Sequence, residues 1–169
     1  MIHKLDMTDD RRVEELLRLQ TMAYRLEAKL IGFDEIPPLG DTIDTLKHSR
    51  DVFYGYLTET EELVGAIAVE EEAPGELTLT RMMVRPDYFR RGIASRLIEY
   101  VFAKYPDFSA YIVSTGTRNE PAMNLYTGFQ FVPFKNEYIA PGVELTTMRR
   151  RGRLGAWETD SDGLNNKEQ

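Results

Sequence analysis

At 169 residues the chain is long enough for one sizeable core and short for two domains, and 42% apolar and 29% charged residues are ordinary for a globular protein. The absence of cysteine excludes disulfides, thiolate metal sites and a cysteine nucleophile, and with only His3 and His48 a His-rich metal site is not expected either. A net charge of −7 argues against general affinity for nucleic acid, and the lack of a long apolar run or secretory leader points to a cytoplasmic protein without a membrane partner.

In chain order, Ile2 to Leu5 reads as a first strand. Asp9 or Asp10 caps a helix with Val13, Leu16, Leu17 and Tyr24 on one face. Gly32 to Gly40, with Pro37-Pro38, interrupts the pattern, and Thr42 to His48 forms a short second helix. Val52–Thr58 and Leu63–Glu71 are strands joined through Glu59–Glu62. Pro74-Gly75 turns into a strand over Leu77–Val84, followed by a turn at Pro86-Asp87. Ile93, Leu97, Ile98, Val101, Phe102 and Tyr105 then fall at a helical period, ended by Pro106-Asp107. Tyr111–Thr115 is a short buried strand. Pro121 suits a first helical turn and Gly128 its stop. Phe129–Phe134 and Val143–Arg149 complete a mixed sheet with helices on both faces. Residues 1–150 read as a single domain and 151–169 as a polar tail, with Trp157 as its anchor on the fold or on a second subunit. The basic run Arg149-Arg150-Arg151-Gly152-Arg153 reads as a solvated strand end.

The octamer Arg90-Arg91-Gly92-Ile93-Ala94-Ser95-Arg96-Leu97 carries the strongest functional signal. It joins a strand and turn to a helix start. The first N–H groups of a helix lack internal partners, and the helix dipole adds positive potential there. Gly92 and Ala94 allow close approach of a phosphate, and Arg90 and Arg91 add charge. Taken alone, the octamer is equally well a turn with a solvated cap.

Downstream lies Asn119-Glu120-Pro121-Ala122-Met123-Asn124-Leu125-Tyr126-Thr127-Gly128-Phe129. Together with Phe89-Arg90-Arg91-Gly92-Ile93-Ala94, and with the strand end Met83-Val84-Arg85-Pro86, it resembles the GCN5-related N-acetyltransferase (GNAT) superfamily. That family carries a Gln/Arg-x-x-Gly-x-Gly/Ala signature and, further on, an Asn, a short helix and a Tyr-x-x-Gly-Phe ending. The resemblance spans about Leu63 to Phe134, and it departs from the family at Phe89, where Gln or Arg is usual. It implies an α/β fold with a central mixed, mostly antiparallel sheet of six to seven strands. It also implies acetyl-CoA as co-substrate, held by Met82, Met83, Val84, Arg90, Arg91, Gly92, Ile93, Ala94, Ser95 and Asn119. No metal is implied. The activity implied is N-acyl transfer to the primary amine of a small molecule or peptide, by direct attack in a ternary complex. Tyr126 takes the family's acid position, giving a proton to the departing sulfur.

Helix spacing alone makes Tyr126 a core residue and Asn119 an N-cap. No carboxylate lies in Val113–Thr117, where some relatives place one. Glu70, Glu71, Glu76 and Glu120 are the local candidates for a general base, with a water relay as the alternative. Tyr24, Phe33, Asp34, Glu35, Asp41 and Tyr138 are candidates for substrate contact. A non-catalytic acetyl-CoA-binding module or an interaction protein remains the alternative class, and a homodimer is left open.

Overall fold

Asp9 accepts a hydrogen bond from Arg11 N at 3.1 Å and so starts helix α1, Asp10–Ile31. Gly32, at φ 69°, ends it in the left-handed conformation that glycine adopts without a Cβ clash. The computed structural model describes residues 1–153, so the expected anchor Trp157 lies outside the described residues. A strand β1 (Ile2–Lys4) precedes α1. A 3-10 turn (Pro37–Gly40) and the short α2 (Ile43–Lys47) follow it. Thr42 caps α2 through a reciprocal pair of hydrogen bonds with Thr45. Then come β2 (Val52–Leu57), β3 (Leu63–Ala73), β4 (Glu76–Val84), α3 (Ile93–Lys104), β5 (Ala110–Gly116), α4 (Glu120–Gly128), β6 (Val132–Ala140) and β7 (Val143–Arg151).

The strands form one seven-stranded sheet in the order β1-β2-β3-β4-β5-β7-β6. Every neighbouring pair is antiparallel except β4 and β5. This is the mixed, mostly antiparallel sheet expected from the sequence. β3 is buried without a break from Leu63 to Val69, because helices cover both of its faces. On one face Leu97, Ile98 and Val101 of α3 and Tyr126 of α4 pack over Ile67, Leu77, Leu79 and Val113. On the other, Val13, Leu16 and Leu19 of α1 and Leu46 of α2 cover Phe53, Ala66, Ala68 and Met83. Both expected faces of helices are therefore present.

Two expectations shift. The strand placed at Phe129–Phe134 runs instead from Val132 to Ala140; it starts late because α4 closes through a left-handed Gln130 (φ 67°), with Phe131 N donating to Tyr126 O at 3.0 Å. The basic run is also more than a solvated strand end. The Arg150 guanidinium lies 3.9 Å from the Phe102 ring centroid and donates to Phe129 O at 3.0 Å, so it ties β7 to the end of α4. Arg149 pairs with Glu76 at 3.5 Å. Among the described residues no helix is long and apolar enough to cross a membrane.

Gly116, at the end of β5, is fixed by close approach. A Cβ there would stand 2.3 Å from Ile31 Cγ2 of α1. Gly116→Ala is expected to push α1 off the sheet and cost about 1–3 kcal/mol. Thermal denaturation should show a fall in Tm of roughly 3–10 °C.

Candidate functional site

β4 and β5 pair only from Glu76↔Ala110 to Leu79↔Val113. Beyond that the ladder stops, although β4 runs on to Val84 and β5 to Gly116. The cause is visible on the other side of β4. Ala68 pairs with Arg81 but Val69 pairs with Leu79, so Thr80 is an extra residue in β4, a β-bulge. A bulge bends its strand and raises the local twist. Peptide groups beyond it face a gap instead of a neighbouring strand. Met82 N donates across this gap to Tyr24 Oη of α1 at 3.1 Å. Thr80 Oγ1 is buried there without a hydrogen-bond partner.

The gap is a cleft of about 200 Å³ whose lining includes Tyr24, Glu27, Thr80, Met82, Thr115, Asn119 and Tyr126. Three of its groups titrate in an altered environment. Burial pushes the Tyr126 hydroxyl well above the usual tyrosine range, and the nearby Tyr24 and Glu27 push it further. Tyr24 is raised in the same way, by burial first and then by the Glu27 charge. Tyr126 is thus a neutral O–H donor across the physiological range. The Glu27 carboxyl is raised by burial, against hydrogen bonds from Asn119, Thr115 and the Gly116 backbone. Thr115 Oγ1 donates to Glu27 Oε1 at 3.3 Å.

The floor near Tyr24 is braced by Arg81. Its guanidinium pairs with Asp41 at 3.2 Å and Asp51 at 3.6 Å and lies 5.3 Å from the Phe53 ring centroid. Gln20 Nε2 donates to Asp41 Oδ2 at 2.7 Å and to Pro38 O at 2.9 Å, fastening the 37–41 turn to α1.

The octamer forms a second feature at the far end of β4. Pro86–Tyr88 is a 3-10 turn, Arg90 (φ 63°) and Gly92 (φ 76°) are left-handed, and α3 begins at Ile93 with no side-chain cap. A Cβ at Gly92 would meet open space, so φ alone demands glycine there. The amides of Ile93, Ala94 and Ser95 open the helix uncapped by any side chain. Left-handed Arg90 and Gly92 just before such a helix start turn the backbone so that successive N–H groups can share one concavity, a form suited to anions. Arg90 and Arg91 are exposed beside it, and Arg91 stacks 4.5 Å from the Tyr88 ring centroid. Arg85 is engaged with Asp87 at 2.7 Å.

The other site candidates divide clearly. Met82 lines the cleft, whereas Met83 is buried beneath α1 and Val84 pairs with Gly65 of β3. Asn119 Oδ1 caps α4 by accepting from Ala122 N at 3.3 Å, and its side chain lines the same cleft as Glu27. Among the acidic candidates, Glu71 accepts from Gly75 N in the hairpin at 3.0 Å, and Glu76 is paired with Arg149. Glu70 and Glu120 are likewise outside the cleft lining. Tyr138 is 72% exposed on β6, away from the cleft, and Asp41 is taken up by Arg81. Glu27 was not among the residues singled out by sequence. The available signal was a carboxylate inside the buried stripe Tyr24, Ala28, Ile31 of α1, three residues from Tyr24.

Residues 13–131 match the model of the acetyltransferase (GNAT) family, and the chain belongs to that family. It is 36% identical over 146 residues to UPF0157 protein YqkA of Bacillus subtilis (strain 168). That match covers 86% of this chain and 42% of the relative, so the chain spans less than half of the longer protein. Among solved structures it is similar to the ribosomal-protein-S18-alanine N-acetyltransferase of Escherichia coli, with TM-score 0.70 and 16% identity over 89% of this chain and 92% of that one. An acetyltransferase from Thermus thermophilus gives TM-score 0.70 and 20% identity over 89% and 97%. At these identities the likeness is one of fold.

Asp41 and Asp51 face one cation, and both are largely buried, at 14% and 7% side-chain exposure. Arg81→Met removes that cation and leaves two carboxylates beside apolar surface. We expect a loss of about 3 kcal/mol, read by urea denaturation; an unchanged midpoint would show that the pair is solvated.

Proposed function

We propose that the chain transfers an acetyl group from acetyl-CoA to a primary amine, by direct attack within a ternary complex. The observation that carries this reading is the pairing of two features along β4. A strand gap opened by the Thr80 bulge runs along the C-terminal half of β4, and an uncapped helix start with left-handed Arg90 and Gly92 follows where that strand ends. The residues suit the co-substrate on chemical grounds. The turn offers backbone N–H groups and exposed arginines to a pyrophosphate, and the gap offers unpaired β4 peptide groups to an extended amide-bearing arm. Bound there, acetyl-CoA supplies an acyl group on a good leaving group.

The chain's own residues then have distinct tasks. The amides of Gly92, Ile93, Ala94 and Ser95, with Arg90 and Arg91, hold the phosphates. Met82, with Met83 and Val84 next in β4, aligns the arm, and Met82 N exchanges Tyr24 for the ligand or shares it. Asn119 borders the gap from the α4 start. Tyr126 holds its proton until a thiolate, a far stronger base than water, departs beside it. The lack of cysteine removes any acyl-enzyme route through sulfur and gives a thiol-release assay no protein background.

Tyr126→Phe should lower kcat tenfold or more, on the scale of general acid catalysis, while leaving acetyl-CoA affinity unchanged in calorimetry. Unchanged turnover would remove Tyr126 from the mechanism. Gly92→Val, which forces a β-branched residue to φ 76°, should weaken acetyl-CoA about tenfold or more and lower Tm by a few degrees through backbone strain alone, because no atom lies near the added group. Acetyl-CoA binding without thiol release on any amine would favour the non-catalytic module instead.

A further inference from the structure

We propose that the free edge of β6 is a homodimer interface, on which a second copy of this chain pairs antiparallel about a two-fold axis at Asn136. β6 ends the sheet, with β7 on one side and, among the described residues, no strand on the other. It is exposed from Val132 to Ile139. Four of the eight exposed large hydrophobic side chains among the described residues lie on it, Val132, Phe134, Tyr138 and Ile139. A row of unpaired N–H and C=O groups flanked by apolar side chains is a template for another strand.

Open edges are commonly blunted by proline and by bulges, and β6 carries both near its ends. Pro133 has no N–H to give. Phe134 and Ile139 are extra residues against β7, because Pro133 and Lys135 pair with Met148 and Thr147, and Tyr138 and Ala140 pair with Glu144 and Val143. Between them the stretch Lys135–Tyr138 is regular. Its hydrogen-bonding phase follows from β7. Thr117 N donates to Glu144 O at 2.9 Å, so the peptide groups of Glu144 turn toward the β5 side. These directions alternate along a strand, so Leu145 and Thr147 turn theirs toward β6 and Thr146 toward β5. Glu137 and Lys135, the partners of Leu145 and Thr147, therefore direct their N–H and C=O groups to β7. Asn136 and Tyr138 direct theirs to the free edge.

The side chains then select the occupant. About a two-fold axis at Asn136, residues equally far from it on the two strands stand opposite each other. Asn136 exchanges two backbone hydrogen bonds with the partner's Asn136. Lys135 meets the partner's Glu137, and Glu137 meets the partner's Lys135. The two are already paired within one chain at 3.5 Å, so the dimer closes a square of four charges with alternating sign. Phe134 meets the partner's Tyr138, and aromatic cross-strand pairs are favourable. Moving the axis one residue either way sets Lys135 against the partner's Lys135, or Glu137 against the partner's Glu137, and like charges directly opposite are unfavourable. The strand is thus complementary to itself in one register, as an isologous contact requires. Pairing of this kind joins the two seven-stranded sheets into one. The interface lies beyond β7 from the β4–β5 cleft and does not depend on acetyl transfer.

Sedimentation equilibrium on the full chain tests this directly. One strand per subunit is a small contact, so we expect a monomer–dimer equilibrium with a dissociation constant on the order of 10 μM. Lys135→Glu and Glu137→Lys each turn two attractive pairs into two repulsive ones, and each should weaken the dimer about 30-fold or more. Mixed in equal amounts, the two variants oppose unlike charges at both pairs, and the mixture should dimerise as wild type does. The double variant, which swaps the charges, should do so too. Both side chains are exposed, so circular dichroism should show each variant folded. In hydrogen exchange the Asn136 amide should slow as protein concentration rises.

Wild type that stays monomeric at roughly 200 μM, well above that constant, overturns the inference. A dimer that both single variants retain overturns it as well, since another surface then holds the copies together. Single variants that stay monomeric when mixed overturn the register and the inference with it. Slow exchange at Asn136 that is independent of concentration also overturns it, because the edge is then covered by residues 154–169 of the same chain and not by a second copy.

Discussion

β4 and β5 hydrogen-bond for the short stretch from Glu76↔Ala110 to Leu79↔Val113 and then part, and the site is built on that parting. A sheet interior normally leaves no peptide group unpaired, because each buried orphan costs as much as a lost hydrogen bond. Here one extra residue, Thr80, is absorbed on the β3 side of β4, and the two parallel strands diverge from there. The result is a slot whose walls are strands, held rigid by seven strands and two helical layers, with polar backbone at its edges. The unsatisfied Thr80 Oγ1 marks the same place as one where the fold leaves hydrogen-bonding capacity open.

The two helices bordering the slot bring different chemistry to it. α1 is long and capped at both ends, and it presents Tyr24 and Glu27 on the stripe that otherwise buries Val13, Leu16 and Ile31. Its position is enforced by Gly116, which leaves just enough room for Ile31, and by Gln20, which bonds the 37–41 turn. α4 is short and is held at its far end by Arg150, which contacts Phe102 and Phe129 together. Arg150 therefore helps set where Tyr126 stands. A polar group near the reacting centre is useful in proportion to how well its support is fixed.

α3 links the slot to the anion turn. Its apolar face, Ile93, Leu97, Ile98 and Val101, is fully buried, which anchors the helix start although no side chain caps it. Packing supplies the stability that a cap would otherwise give, and the first amides stay available to a ligand. Left-handed Arg90 is a strained choice for a non-glycine residue, and such strain is found where a surrounding structure over-determines the backbone, often at binding turns.

Much of this was legible in the chain itself. Periodicity and turn residues located most of the strands and helices α1 and α3, because an amphipathic element must show one apolar face to a core, while Pro121 and Gly128 bounded α4. The octamer and the Asn119–Phe129 segment pointed to the family, since each motif encodes backbone geometry in a few residues. The signals failed where local chemistry is ambiguous. Phe129 to Phe131 are apolar enough for a strand, yet a left-handed Gln130 makes them the end of α4. Arg150 looks like any surface arginine until Phe102 is beside it. The Thr80 bulge has no sequence mark, because it is a mismatch of register between two strands. Glu27 lies far from every motif in sequence and meets Thr115 and Asn119 only because α1 crosses the sheet over the end of β5. Composition and pattern determined which elements form and which faces they bury. Tertiary structure alone decided which carboxylate shares a cleft with Tyr126, because that depends on burial and on contacts between residues remote in the chain.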